Sequence, residues 1–359
     1  MPAIRHLRTK TRAFFFRLRE LHPNTLRFYY QRSKWRWSPS LWFADPNRCE
    51  IDRPIFFLGV QGGGLTLIAR VLKRNNDVVT LSGNHKYWTG SDEMQSFVFS
   101  RLSPDFWGPV KANTLDLRLM DRKVKRDDSP YGGRANWLYA SDELLAKYRR
   151  TERDHTEMKA TAFKNAIRRM ILVHRASRRP RFLDKSQVFS LKLPLLHKIL
   201  EPHDPKYIIV LRNPYVVCAK AATKWIAWID RPIEWKVATA AAHYDNTFRT
   251  LMQDIDRLGV DAHIVRFEDF LRSPRTCAQH ICAYAELGFE EDMLPQPYHR
   301  LPFGTPFGDN KWYPLRDTVA EDQALLEHNR GHLEIIKERC GWAAHRWGYN
   351  HGAQRHPID

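Results

Sequence analysis

Three consecutive glycines, Gly62, Gly63 and Gly64, run directly into Leu65 and Thr66. Bare backbone can approach an anion closely, and the first free N–H groups of a following helix point at it. A second element lies far downstream, where Arg212-Asn213-Pro214 closes an apolar run from Tyr207 to Leu211. Lys220 follows Arg212 by eight residues, about two helical turns, so both cations can face the same side. A glycine cradle and a pair of cations suit a ligand with two separate phosphate groups. The loop lacks the Gly-Lys-Ser/Thr of a Walker A sequence, and no strand-end Asp for magnesium is evident, which argues against phosphoryl transfer from a nucleoside triphosphate.

These residues need elements to position them. The apolar positions Ile55 to Leu58 and Val60 read as a buried strand, and Leu65, Ile68, Ala69 and Leu72 as one face of a helix. Val78 to Leu81 is a short strand-like run. Residues 121–160, rich in charge and turn signals, read as a surface insertion with one helix around Asp142–Arg153. Further helices are expected over Phe163–Ala176, through Leu193, Leu195, Leu196, Ile199 and Leu200, from Tyr215 through Lys224, and over Trp235–Leu258 with Gly259 as its stop. His263–Phe267 reads as a third strand, Ser273-Pro274 as a helix start, and Glu321–Cys340 as a helical tail ended by Gly341. Strands alternating with helices predict an α/β fold: a single open, mostly parallel sheet flanked by helices, a P-loop-NTPase-like three-layer sandwich. Ligands of such sheets bind beyond the C-terminal strand ends, where both the glycine loop and Arg212 fall.

Lys+Arg 58 against Asp+Glu 40 gives a net charge of +18, a field that favours anionic partners. Half of it lies in residues 1–37, where ten Lys/Arg face the single acid Glu20, interleaved with Phe14, Phe15, Phe16, Phe28, Tyr29, Tyr30, Trp35 and Trp37. Two readings fit this arm: aromatics packed on the body with charges in water, or peripheral contact with an anionic membrane. Nucleic acid is not the expected partner. No stretch reaches the roughly 18 apolar residues needed to span a bilayer. The five cysteines, Cys49, Cys218, Cys277, Cys282 and Cys340, have no matching metal-ligand cluster. Reduced thiols, no metal and a cytoplasmic location, with or without attachment at a membrane surface, are expected. The organisation anticipated is a basic, aromatic-rich arm over 1–50, an α/β domain over 51–350 with an insertion around 103–160, and a tail over 351–359.

The two phosphate elements together resemble the sulfotransferase family. Leu183-Asp184-Lys185-Ser186, Val265-Arg266-Phe267-Glu268-Asp269-Phe270, Lys311-Trp312 and the closing Trp347-Gly348-Tyr349 are similar to further motifs of that family, in the same order. The resemblance spans most of residues 54–350. It implies a P-loop-like fold and the donor 3'-phosphoadenosine 5'-phosphosulfate (PAPS). It places the donor's 5'-phosphosulfate on Gly62, Gly63, Gly64, Leu65 and Thr66, and its 3'-phosphate on Arg212 and Lys220, with Lys311 and Trp312 also binding donor. One departure stands out: Gly62 occupies the position where the family's loop carries Lys or Arg. A cation for the bridging oxygen would then come from Lys185 or from an Arg elsewhere. The catalytic base is expected from Glu93 or His85. The reading that follows is a PAPS-dependent sulfotransferase acting on a hydroxyl or amine of a glycan, lipid or small-molecule acceptor, a glycan or glycolipid first among these. The alternative is a catalytically impaired PAPS- or nucleotide-binding protein serving as a binding or membrane-associated module.

Overall fold

Ile55, Phe56, Phe57 and Leu58 are fully excluded from solvent, Phe56 and Leu58 in one apolar cluster and Ile55 and Phe57 in another. A strand apolar on both faces must be covered on both, which dictates three layers. The structure, a computed structural model, describes residues 30–31, 34–83, 93–94, 138–227, 229–297, 315 and 318–349. Its strands are β1 (Ile55–Gly59), β2 (Val78–Val79), β3 (Arg181–Asp184), β4 (Lys206–Leu211) and β5 (Ala262–Arg266). They form one parallel sheet in the order β2-β3-β1-β4-β5, with Phe57 opposite Ile208 and Val210 opposite Val265. The helices of six residues or more that lie wholly within the described residues are α1 (Leu65–Lys73), α2 (Glu157–His174), α3 (Leu193–Leu200), α4 (Pro214–Lys220), α5 (Ile233–Leu258), α6 (Phe267–Arg272), α7 (Pro274–Tyr284), α8 (Val319–His328) and α9 (Leu333–Arg346). Helices α1 and α7 cover one face of the sheet, and α2, α3, α5 and α9 contribute to the larger core on the other.

The chain leaves β1 for one flank of the sheet (β2, then β3) and crosses to the other for β4 and β5. Between β1 and β4 the winding direction reverses, and the crevice beyond their C-terminal ends is the natural ligand position. The loop after β1 and Arg212 after β4 border that crevice.

Several elements differ from their sequence-based expectation. β3 is a strand that the apolar pattern does not announce, since Arg181 and Asp184 bracket only two apolar residues; parallel pairing on both sides makes it one. The expected helix around Asp142–Arg153 is only a short turn, Leu145–Tyr148, followed by a 3-10 turn at Glu152–Asp154 capped by Thr151. Part of that stretch is buried, since Leu144 and Tyr148 belong to the main core, while Asp142, Glu143, Ala146 and Lys147 are exposed. The helical tail is two helices, and α9 continues past Gly341 to Arg346, because its buried side packs Ala343 and Ala344 as well as Cys340. Gly259 does end α5, in the left-handed conformation.

Candidate active site

The glycine loop is held open by its backbone. Gly62 and Gly64 have φ of 81° and 93°, a region that side-chain-bearing residues avoid. Space forbids a side chain as well. A Cβ on Gly62 would lie 1.9 Å from the Trp225 ring, and one on Gly64 would lie 2.0 Å from the Phe267 ring. The indole of Trp225, carried by the π-helical turn Ala221–Trp225 after α4, thus covers the place where any side chain at position 62 would start. Helix α1 begins at Leu65 with no side-chain cap and no acid in its first turn, so its positive dipole end faces the crevice. The Gly63 N–H closes the turn onto the Val60 carbonyl at 3.1 Å. Ser190 braces the end of β1, accepting from the Gly59 N–H at 2.8 Å.

Arg212 is the cation that the fold joins to this loop. Its Nη1 donates to the Gly62 carbonyl at 3.1 Å, its guanidinium lies 4.6 Å from the centroid of the Phe267 ring, and its Nε is buried without a hydrogen-bond partner. Phe267 thereby supports Arg212 and limits Gly64 at once. Around Arg212 the strand ends are cross-braced. Tyr244 donates its hydroxyl to the Arg212 carbonyl at 2.8 Å, and the Asn213 side chain caps α4 at the Tyr215 N–H. Glu268 accepts from the Asn213 N–H at 2.9 Å and from the Tyr349 hydroxyl at 2.9 Å; burial pushes its carboxyl above the usual range. Arg266 pairs with Asp269 and donates to the Trp347 carbonyl. The Val265–Phe270 and Trp347–Tyr349 motifs, distant in sequence, are therefore one bracing unit behind Arg212.

Lys220 and Arg212 do converge, and what they converge on is a carboxylate. Asp322, in the first turn of α8, sits 2.8 Å from Arg212 Nη2 and 3.8 Å from Lys220 Nζ, and it also accepts from the Thr318 hydroxyl at 3.0 Å. Arg212 and Asp322 side chains are each only 7% exposed. Asp322 was not among the anticipated site residues; an acid in a helix's first turn is ordinary, and nothing in the sequence marks it. A cavity of about 330 Å³ opens here, lined by Gly62, Gly64, Thr66, Gln187, Arg212 and Phe267 among others, with Leu65 also on its wall. A second, of about 240 Å³, adjoins it across Leu271, Leu315 and Thr318 and reaches Asn213, Glu268 and Asp322.

The chain's other candidate chemistry lies at the end of β3. Lys185 forms an ion pair with Glu93, both almost completely buried. Asp184 ties the two segments together: one carboxylate oxygen accepts the Met94 N–H at 2.7 Å, the other the Ser186 N–H at 2.9 Å. Burial pushes Asp184 up to about 7, against the lowering effect of those bonds, and the charge of Glu93 adds to the rise. Glu93 and Lys185, anticipated separately, are thus brought together, and Asp184, which residue types alone did not single out for a role, is what aligns them. His85, Lys311 and Trp312 lie outside the described residues. All five cysteines are unbridged, and the described residues contain no group of three or more His, Cys, Asp or Glu placed to hold a metal. No helix among the described residues is long and apolar enough to cross a membrane.

The chain belongs to the sulfotransferase family, whose model matches residues 54–291. It is similar to the sulfotransferase domain of the Synechococcus PCC 7002 olefin synthase, at 18% identity and a TM-score of 0.43, over 84% of this chain and 98% of that one. It is also similar to the sulfotransferase STF9 from Mycobacterium avium, at 11% identity and a TM-score of 0.47, over 88% and 81% of the two chains. A search of curated proteins returns no match.

Proposed function

We propose that this sulfotransferase draws its sulfuryl group from PAPS and transfers it to a hydroxyl or amine of a glycan or glycolipid. The observation that carries the donor reading is Arg212: a buried guanidinium with an unpartnered Nε, lining the cavity and bonded to the glycine loop. A cradle that rejects any Cβ at two positions and an uncapped helix start fit a phosphate group, and two cations beyond it fit a second. The donor supplies an electrophilic sulfuryl group and a bisphosphate leaving group.

The chain's own residues then divide the work. The first-turn N–H groups at Leu65 and Thr66 hold the 5'-phosphate, while Arg212 and Lys220 hold the 3'-phosphate, with Lys311 and Trp312 assigned to the donor as well. Glu93 takes the proton from the acceptor oxygen or nitrogen, His85 being the other candidate for that role. Lys185 gives this step its coupling. Once a proton neutralises Glu93, that carboxylate no longer offsets the Lys185 ammonium, whose charge then acts more strongly on the oxygen that leaves with negative charge. The loop therefore does not need its own lysine.

A second reading, donor binding without transfer, rests on one observation: the Trp225 ring over Gly62, where the family's loop cation would begin. Incubation with sulfur-35-labelled PAPS and separate pools of cell glycans and lipids tests both. Labelled acceptor together with binding of 3'-phosphoadenosine 5'-phosphate (PAP) supports the first reading. Tight PAP binding with no labelled acceptor in any pool supports the second. Absence of PAP binding defeats both.

A further inference from the structure

Residues 34–49 are docked on the body by their backbone. Arg169 of α2 donates to the Trp35 carbonyl at 2.9 Å and the Arg36 carbonyl at 3.1 Å, and Arg168 donates to the Cys49 carbonyl at 3.2 Å. Trp35 and Cys49 are themselves part of the main core. This anchoring leaves other aromatic rings outside. Seven large apolar side chains are exposed among the described residues, and four of them, Tyr30, Trp37, Trp42 and Phe43, fall within 30–43. Trp42 and Phe43 are 76% and 88% exposed, in a single helical turn, Ser40–Phe43. An adjacent Trp-Phe pair that open to water, on a segment held by core contacts, is not a packing remnant.

The charges that precede this turn in the chain are one-sided. Ten Lys/Arg and one acid lie in residues 1–37, immediately before it in the chain. Lys34 lies against the Tyr30 ring and Arg36 against the Trp35 ring, at 5.3 and 5.1 Å, so aromatic and cationic groups are interleaved in space as well as in sequence. Interfacial membrane binding combines these two ingredients: aromatic side chains that enter the boundary between headgroups and acyl chains, and basic residues that meet anionic headgroups. A single-strand nucleic-acid platform also uses aromatic rings, but as a stacking surface along a groove; Trp42 and Phe43 instead project from one turn of helix.

We infer that residues 30–31 and 34–43 form a docking surface for an anionic lipid bilayer, with Trp42 and Phe43 as the inserting side chains. The inference is independent of the donor and acceptor assignments. The test is sedimentation of the full chain with phosphatidylcholine vesicles and with vesicles containing about 30% phosphatidylglycerol. The wild type is expected to bind the anionic vesicles, to leave them as salt rises from about 0.1 to about 0.5 M, and to ignore the neutral ones. The W42S/F43S variant changes only exposed side chains. It is expected to keep the wild-type melting temperature and to lose at least about tenfold in vesicle affinity. Equal binding by variant and wild type, or no binding to anionic vesicles at all, overturns the inference. So does a wild-type dimer that W42S/F43S converts to monomer, which would make a second copy the occupant. Preference for single-stranded RNA over the anionic vesicles at matched salt overturns it as well.

Discussion

Replacing Asp322 by Asn should loosen the fold and tighten donor-product binding together. The Asp322 carboxylate lies 2.8 Å from the Arg212 guanidinium and 3.8 Å from the Lys220 ammonium in a mostly buried setting. A phosphate held by the same two cations has to come within about 5 Å of that carboxylate, where like unit charges repel by about 3 kcal/mol at an effective dielectric near 20. If the Asp322 side chain turns partly away, some of this is recovered. The expected gain in PAP affinity for Asp322→Asn is therefore about ten- to a hundredfold. Stability should move the other way. Asn keeps the shape and an acceptor for the Thr318 hydroxyl, but it removes the negative charge beside Arg212 and Lys220, at a cost of about 1–3 kcal/mol. Calorimetric titration with PAP at fixed pH and salt, alongside thermal unfolding, reads both quantities. A melting temperature that falls while PAP binds more tightly is the expected pattern. Weaker PAP binding in parallel with lower stability would refute the reasoning, since Asp322 would then be orienting the cations for phosphate rather than occupying their charge.

Further expectations concern the other parts of the site. Arg212→Ala should weaken PAP binding by about 2–3 kcal/mol, read by the same titration, and should lower stability because Asp322 loses its nearest partner. Glu93→Gln and Lys185→Met should each lower sulfuryl transfer from labelled PAPS by about a hundredfold or more with PAP affinity little changed; the double variant should recover stability relative to either single one, but not activity. Gly64→Ala places a methyl group against Phe267 at a positive φ, and should reduce both stability, by more than about 1 kcal/mol, and PAP binding, because Phe267 supports Arg212. Asp184 sets a pH dependence. Its folded-state pKa of about 7, against the usual 3.8, means that the folded protein binds this proton more tightly than the unfolded chain. The group's stability contribution is thus complete below about pH 4 and is lost as pH rises towards and through 7, by at most about 4 kcal/mol. Urea unfolding across that range should show a loss that Asp184→Asn does not.

The glycine turn, the helix after it and the Arg-Asn-Pro strand end are legible in the sequence because each is fixed by short-range physics: a backbone that must adopt positive φ, the 3.6-residue spacing of α1, an Asn cap and a Pro at the first turn of α4. The same holds for the left-handed Gly259 that ends α5. β3 escapes such reading, since a four-residue strand with charged ends is defined by its two neighbours rather than by its own pattern. Gly341 misleads for a related reason: packing of α9 outweighs the weak stop signal of one glycine.

Sequence alone establishes a glycine turn and an Arg-Asn-Pro strand end on a parallel α/β sheet, and an unequal distribution of positive charge towards residues 1–37. Which side chains meet is settled by tertiary packing. Trp225 covers Gly62, Asp322 joins Arg212 and Lys220 across 110 residues of chain, and Asp184 aligns Glu93 with Lys185 across some 90. Local chemistry sets φ, caps and helical faces, so it can be read from neighbours in the chain. A buried charge takes its meaning from whichever opposite charge the packing delivers, and that partner is chosen by the fold as a whole.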